Sequence, residues 1–317
     1  MYMLYFVIQH TMFFAIPLLI VALGGMFSER SGIVNIALEG KMLMGAFTGI
    51  LFISMFQDRL EGQALLIIAL LIAAGTGVLV SFFHAYASIT MNASQLISGV
   101  AINLLAPAFA IYTARMVGGV QQIHFRNTFR IESVSYLGSI PFVGPMFFQN
   151  TYITTYLGLL ILVISTFVLY KTKFGLRLRA CGEHPHAADS VGVNVAFIRY
   201  AGVLISGALA GIGGIVLIIP TSTAFNATVS GYGFLALAVL IFGSWKPMKI
   251  LFAAFFFGFM QAIAASHSVI PVLQDLDVPA HFYRMSPYLA TLILLAFTSK
   301  NTAAPRAAGQ PYDKGGR

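Results

Sequence analysis

The chain reads as an all-α polytopic membrane protein of about 8–9 transmembrane helices, with a broken or re-entrant helix near residues 28–50. Three observations predict this. Apolar residues make up 58% of the 317 residues and charged residues only 9%, against about 25% charged in a soluble domain. Mean hydropathy is +0.86. Apolar runs of about 20 residues, the length a spanning helix needs, recur along the chain. No stretch is polar enough to be a soluble domain, so residues 1–300 are expected to form one transmembrane unit.

Nine apolar segments are expected, at about 5–27, 33–56, 64–89, 95–114, 153–170, 199–220, 232–245, 249–268 and 286–299. The first has no Lys or Arg before it, so it is kept as a membrane helix rather than a cleaved leader. The second opens after a polar turn, Ser28-Glu29-Arg30-Ser31-Gly32, and carries Asn35, Glu39 and Lys41 into the membrane. Ionisable groups there are expensive and seldom incidental. Asn35 and Glu39 are four apart and would share a helix face, with Lys41 pointing elsewhere. They are candidates for a polar solute path, and equally for a network that holds a broken helix.

The fourth segment aligns Gln95, Gly99, Asn103 and Pro107 at i, i+4 spacing along one face. Two amides beside a glycine would suit a neutral polar solute, or would serve as interhelical hydrogen-bond donors and acceptors. Gly45-Gly49, Gly207-Gly211 and Gly213-Gly214 are packing signals that let helices approach. The seventh segment is short for a full span. His84 and Gln261 are isolated polar residues in apolar segments; no pair has metal-ligand spacing, and no metal is expected.

Net charge is +8. Its distribution fits orientation in a membrane better than nucleic-acid binding. With the 171–198 loop placed in the cytoplasm, twelve basic residues fall on that side and five outside, the C-terminus being cytoplasmic. Two loops are long enough to act: an outer one at 116–152, and the cytoplasmic one, which reads KTKFGLRLRACGEHPHAADSVGVNV from Lys171. In the latter Pro185 can start a short helix that contains Asp189 and stops at Gly192. A helix of about two turns is not stable alone, and docking into a partner's groove would supply what it lacks. The tail, 301–317, is rich in Ala, Gly and Pro and is expected to be disordered. A weak echo relates Gly32-IVNI-Ala37-Leu38 to Gly231-YGFL-Ala236-Leu237, as repeats in transporters do. The single cysteine, Cys181, permits no internal disulfide. Neither a phosphate-cradling GxxxxGK[ST] loop nor a catalytic triad is present.

The stretch SERSGIVNIALEGKMLMGAF resembles the signature of membrane permease subunits of ATP-binding-cassette importers, in the branched-chain amino acid and simple-sugar class. It is most similar to the nucleoside permeases that work with a Bmp-type lipoprotein receptor. QLISGVAINLLAP (95–107), FGLRLRACGEHPHAADSVGVNV (174–195) and GYGFLALAVLIFGSWKPMKILFAAFFFGFMQA (231–262) agree with that pattern, and the likeness covers most of 17–300. Lys41 departs from it, standing where the pattern carries an apolar residue.

The resemblance implies a nucleoside or simple-sugar importer in a bacterial or archaeal cytoplasmic membrane. Its expected partners are a cytosolic ATP-binding subunit, a second permease (homologous or identical) and an extracytoplasmic solute-binding lipoprotein. The chain itself would bind no cofactor, and ATP would be hydrolysed by the partner. Gly182, Glu183, His184, Pro185, Ala188, Asp189 and Gly192 become the expected ATPase-coupling residues, and Asn35, Glu39, Gln95 and Asn103 the expected solute path. The alternative is an ion-coupled secondary transporter, which would need more intramembrane acid than Glu39 provides.

Overall fold

The computed structural model describes residues 2–60, 62–270, 279–298 and 304–313. It is an all-α membrane protein in which, among the described residues, seven helices are long and apolar enough to span. In chain order the helices are α1 (Tyr2–Arg30), α2 (Leu38–Phe56), α3 (Gly62–Ala85), α4 (Gln95–Gly118), α5 (Ile153–Lys171), α6 (Lys173–Glu183), α7 (Pro185–Ser190), α8 (Val195–Thr221), α9 (Tyr232–Phe242), α10 (Pro247–Ser266) and α11 (Ala280–Thr298). Caps set several boundaries. Ser94 Oγ accepts the Ile97 N–H at the start of α4, and Gly119 ends that helix at φ +71°. Asn194 Oδ1 accepts the Phe197 N–H at the start of α8.

α1 and α8 form the buried centre, flanked by α2, α3 and α10. α4 is the least buried span and turns Ile97, Leu104 and Leu105 outward, as a lipid-facing helix does. Lipid tails are as apolar as Leu, so packing has to draw the helices together. Glycines provide it. A Cβ on Gly45 would strike Gly211, one on Gly77 would strike the Gly207 carbonyl, and one on Gly211 would strike the Ala73 carbonyl. The two expected GxxxG signals therefore meet in one seam through α2, α3 and α8.

The 116–152 loop contributes to two small antiparallel ribbons, one of them shared with the segment after α8. β1 (Ile123–His124) pairs with β4 (Ala224–Phe225), and β2 (Arg130–Ser133) pairs with β3 (Gln149–Tyr152). Asn127 Nδ2 donates to the Ile219 carbonyl at 2.7 Å and joins the loop to the end of α8. This strand end of the molecule lies opposite the end that gathers α6, α7 and the Ser28–Gly32 turn.

α9 has eleven residues, about 16 Å of helix, roughly half the hydrocarbon thickness. It is a half-helix, in keeping with the shortness of the seventh segment. The tail differs from expectation. Residues 304–313 are ordered by backbone contacts that composition does not encode: Ala307 N–H donates to the Gly182 carbonyl at 2.8 Å and Gly309 N–H to the Gly32 carbonyl at 3.1 Å. Small residues let this backbone lie between the two glycines. Residues 301–303 and 314–317 lie outside the described set.

Candidate functional site: a broken helix, a docking corner and a cavity

Between α1 and α2 the chain unwinds over residues 31–37. Unwound backbone inside a bilayer must find partners in the protein. Ser28 Oγ donates to the Ile33 carbonyl at 2.8 Å, and Gly32 turns the chain at φ +98°. Gln95 Oε1 accepts the Val34 N–H at 2.8 Å. His84 Nε2 lies 3.4 Å from the Val34 carbonyl, and Nδ1 lies 3.0 Å from Ser98 Oγ. A carbonyl can only accept, so Nε2 carries the proton. Asn103 spans the re-entry: its Nδ2 donates to the Ile36 carbonyl at 2.9 Å, and its Oδ1 accepts the Gly40 N–H at 2.8 Å.

Asn35 lies in the unwound stretch, so the expected helix face shared with Glu39 does not exist. Its Nδ2 donates to Ser206 Oγ at 2.8 Å, and its Oδ1 accepts from Lys41 Nζ at 2.7 Å. Lys41 therefore turns toward Asn35 instead of away, because the break carries Asn35 off the helical register. Both side chains are fully buried. Glu39 reaches α9, where its carboxylate accepts the Gly231 N–H at 2.9 Å and the Gly233 N–H at 2.6 Å. A carboxylate suits the exposed N–H groups and positive dipole end of a half-helix. Gly32 and Gly231, the two ends of the sequence echo, both have left-handed φ, at +98° and +79°. Asn35, Glu39, Gln95 and Asn103 thus converge on the break and direct their polar atoms at backbone groups, Ser206 and Lys41.

The coupling loop meets the same turn at Arg30, through Gly182 and Glu183. Two helices form where one was expected. Thr172 Oγ1 accepts the Gly175 N–H at 3.1 Å and starts α6, an N-cap signal present in the sequence at Thr172. Pro185 opens α7 as expected, and Gly192 ends it at φ +83°. Gly182 packs on the Arg30 carbonyl, where a Cβ would not fit. Glu183 lies 3.8 Å from Arg30, a half-exposed pair worth little by itself. His184, the N-cap of α7, is exposed; Ala188 is buried against the bundle and Asp189 is half-buried. Arg30 also donates to the Trp245 carbonyl, and Trp245 Nε1 donates to Glu29 Oε2 at 2.6 Å, which ties the turn to the end of α9. The tail braces this corner: Arg199 Nη1 donates to the Gln310 carbonyl at 3.2 Å, and the Tyr312 ring lies 5.0 Å from His186.

Cys181 is fully buried in this corner, and burial pushes its thiol up to about 11. Thiolate is the reactive form, so near neutral pH its supply falls about 100-fold below that of a thiol with the ordinary value of 9.0. Maleimide labelling of the folded protein is expected to lag the denatured protein by at least that factor; equal rates would refute the packing of α6.

A cavity of about 610 Å³ opens among α8, the 222–231 loop, α9, α10 and α11. Its lining includes Phe14, Asn226, Tyr232, Gln261, Arg284 and Tyr288, and none of the four expected solute-path residues. Apart from Gln261, noticed as an isolated amide, sequence spacing offered no signal for it.

Residues 7–297 match the family described as branched-chain amino acid transport system, permease component. The chain is similar to the guanosine ABC transporter permease protein NupQ of Bacillus subtilis, 44% identical over 98% of this chain and 97% of the relative. It is similar to the nucleoside ABC transporter permease protein NupC of Lactococcus lactis, 36% identical over 97% and 96%. A further relative, the guanosine ABC transporter permease protein NupP of the same Bacillus subtilis, is 28% identical over 76% and 69%. The chain belongs to the family of branched-chain amino acid transport system permease components.

Proposed function

We propose that this protein is the membrane subunit of an ATP-driven importer of nucleosides, seated in a bacterial or archaeal cytoplasmic membrane. The observation that carries this is the near end-to-end similarity to two permeases whose names specify guanosine and nucleosides. The α6–α7 corner fits the docking of a cytosolic ATP-binding subunit, because α7 is short and exposed on one side, and α6, which leads into it, is keyed to α1 through Gly182 and Glu183. Movement of α7 would reach Arg30, the turn and, through Trp245, the half-helix α9. Two distinct guanosine permeases in one Bacillus favour a second, non-identical permease as partner. A solute-binding lipoprotein would deliver nucleoside at the strand end.

In proteoliposomes that contain the complex, guanosine is expected to accumulate against its gradient only with ATP on the α7 side, and to continue when ion gradients are collapsed. Accumulation without ATP, abolished by an uncoupler, would replace this proposal with ion-coupled transport.

A further inference from the structure

We infer that the cavity above α9 is where this permease reads the base of its solute, with Gln261 and Asn226 as the selecting residues. The inference rests on the nucleoside-importer proposal and assigns a site within it. The volume of about 610 Å³ falls within the range of small-molecule sites. Phe14, Tyr232 and Tyr288 supply aromatic walls, surfaces on which any base can stack.

The polar lining divides into satisfied and unsatisfied groups. Thr221 Oγ1 donates to the Leu217 carbonyl, Ser222 Oγ to the Ala224 carbonyl, and Thr228 Oγ1 accepts the Ser230 N–H. Several groups are left open among the described residues, the Ser230 hydroxyl and the Arg284 guanidinium included. The side chains of Asn226 and Gln261 make no hydrogen bond among the described residues. The Tyr232 hydroxyl is buried and has no partner among the described residues, the residue being 6% exposed. The buried Tyr232 hydroxyl loses free energy until something pairs with it, while Asn226 is exposed and Gln261 half-buried, so both amides are within reach of an entering solute.

Within the open set the two amides are specific in kind. An amide presents a donor and an acceptor side by side, which matches the paired donor and acceptor on the edge of a nucleobase. Among the described lining residues there is no carboxylate, and Arg284 is the one Lys or Arg. An ammonium group would find no counter-charge there, which disfavours amino acids and cationic solutes. The geometry therefore fits a neutral nucleoside, its base between aromatic rings and its edge on Gln261 and Asn226.

The test uses the assembled complex with its receptor saturated by one nucleoside at a time, so that receptor affinity drops out of the maximal uptake rate. Gln261→Glu keeps the acceptor and loses the donor. Guanosine, whose edge offers two adjacent N–H donors, is expected to keep its rate within about twofold, while adenosine falls about tenfold, the worth of one hydrogen bond. Gln261→Leu is expected to lower both. Asn226→Leu, on the exposed loop, is expected to shift the guanosine-to-adenosine ratio independently and decides the matter if the Gln261 variants fail to assemble. An unchanged ratio in assembled, ATP-driven variants overturns the assignment and leaves the importer proposal standing. No ATP-driven nucleoside uptake by the unaltered complex overturns both.

Discussion

Gly211→Leu is expected to abolish accumulation of folded protein. Gly211 sits where α2, α3 and α8 meet, with the Ala73 carbonyl and Gly77 on one side and Gly45 on the other. Its own Cβ would already overlap backbone, and backbone cannot rotate away as a flexible side chain can. Overpacking a core costs about 1–3 kcal/mol where side chains yield. Here helices must separate, so the cost exceeds about 4 kcal/mol, the range that marks a structural failure. Gly75→Leu is the control: a Cβ there meets nothing within 4 Å, and its yield is expected to match wild type. Size-exclusion profiles in detergent distinguish the two.

Glu39→Ala is the second large effect. The carboxylate accepts two backbone N–H groups at the start of α9, and hydrogen bonds to a charged acceptor contribute about 1.5–3 kcal/mol each. Alanine leaves both donors without a partner, where bilayer water cannot replace it. Gly233 also packs so closely on the Glu39 backbone that the two elements cannot slide to compensate. Loss of about 3 kcal/mol or more is expected, seen as a fall in melting temperature and in folded yield.

Much of this fold was legible because membrane helices carry strong signals. The segment at 153–170 became Ile153–Lys171 and that at 249–268 became Pro247–Ser266. The short seventh segment became a half-helix of eleven residues. Glycine spacing located the seam, although not which carbonyl each glycine meets.

The site was harder to see. Asn35 and Glu39 at i, i+4 implied a shared face, and that inference fails once the helix starts at Leu38. Periodicity holds only inside a regular helix, and the break moves Asn35 to Ser206 and Lys41. Gln95 and Asn103 were recognised as a row, but their partners are backbone groups of another segment, which no side-chain pattern reveals. Trp245 and Ser206 gave no sign of joining the site, since their partners lie more than 170 residues away. The tail looked disordered by composition, yet its order comes from backbone hydrogen bonds to two glycines.

The central claim is that the polar residues of the break hold a half-helix in place, and that the solute is met elsewhere. Glu39→Gln tests it most directly, because the amide keeps one acceptor and turns an N–H toward a second N–H. Melting temperature of the purified protein and guanosine uptake per assembled complex are measured together. A scaffold predicts a lowered melting temperature with uptake per assembled complex, and the guanosine-to-adenosine ratio, unchanged. An unaltered melting temperature with a changed ratio would contradict it and return Glu39 to the solute path.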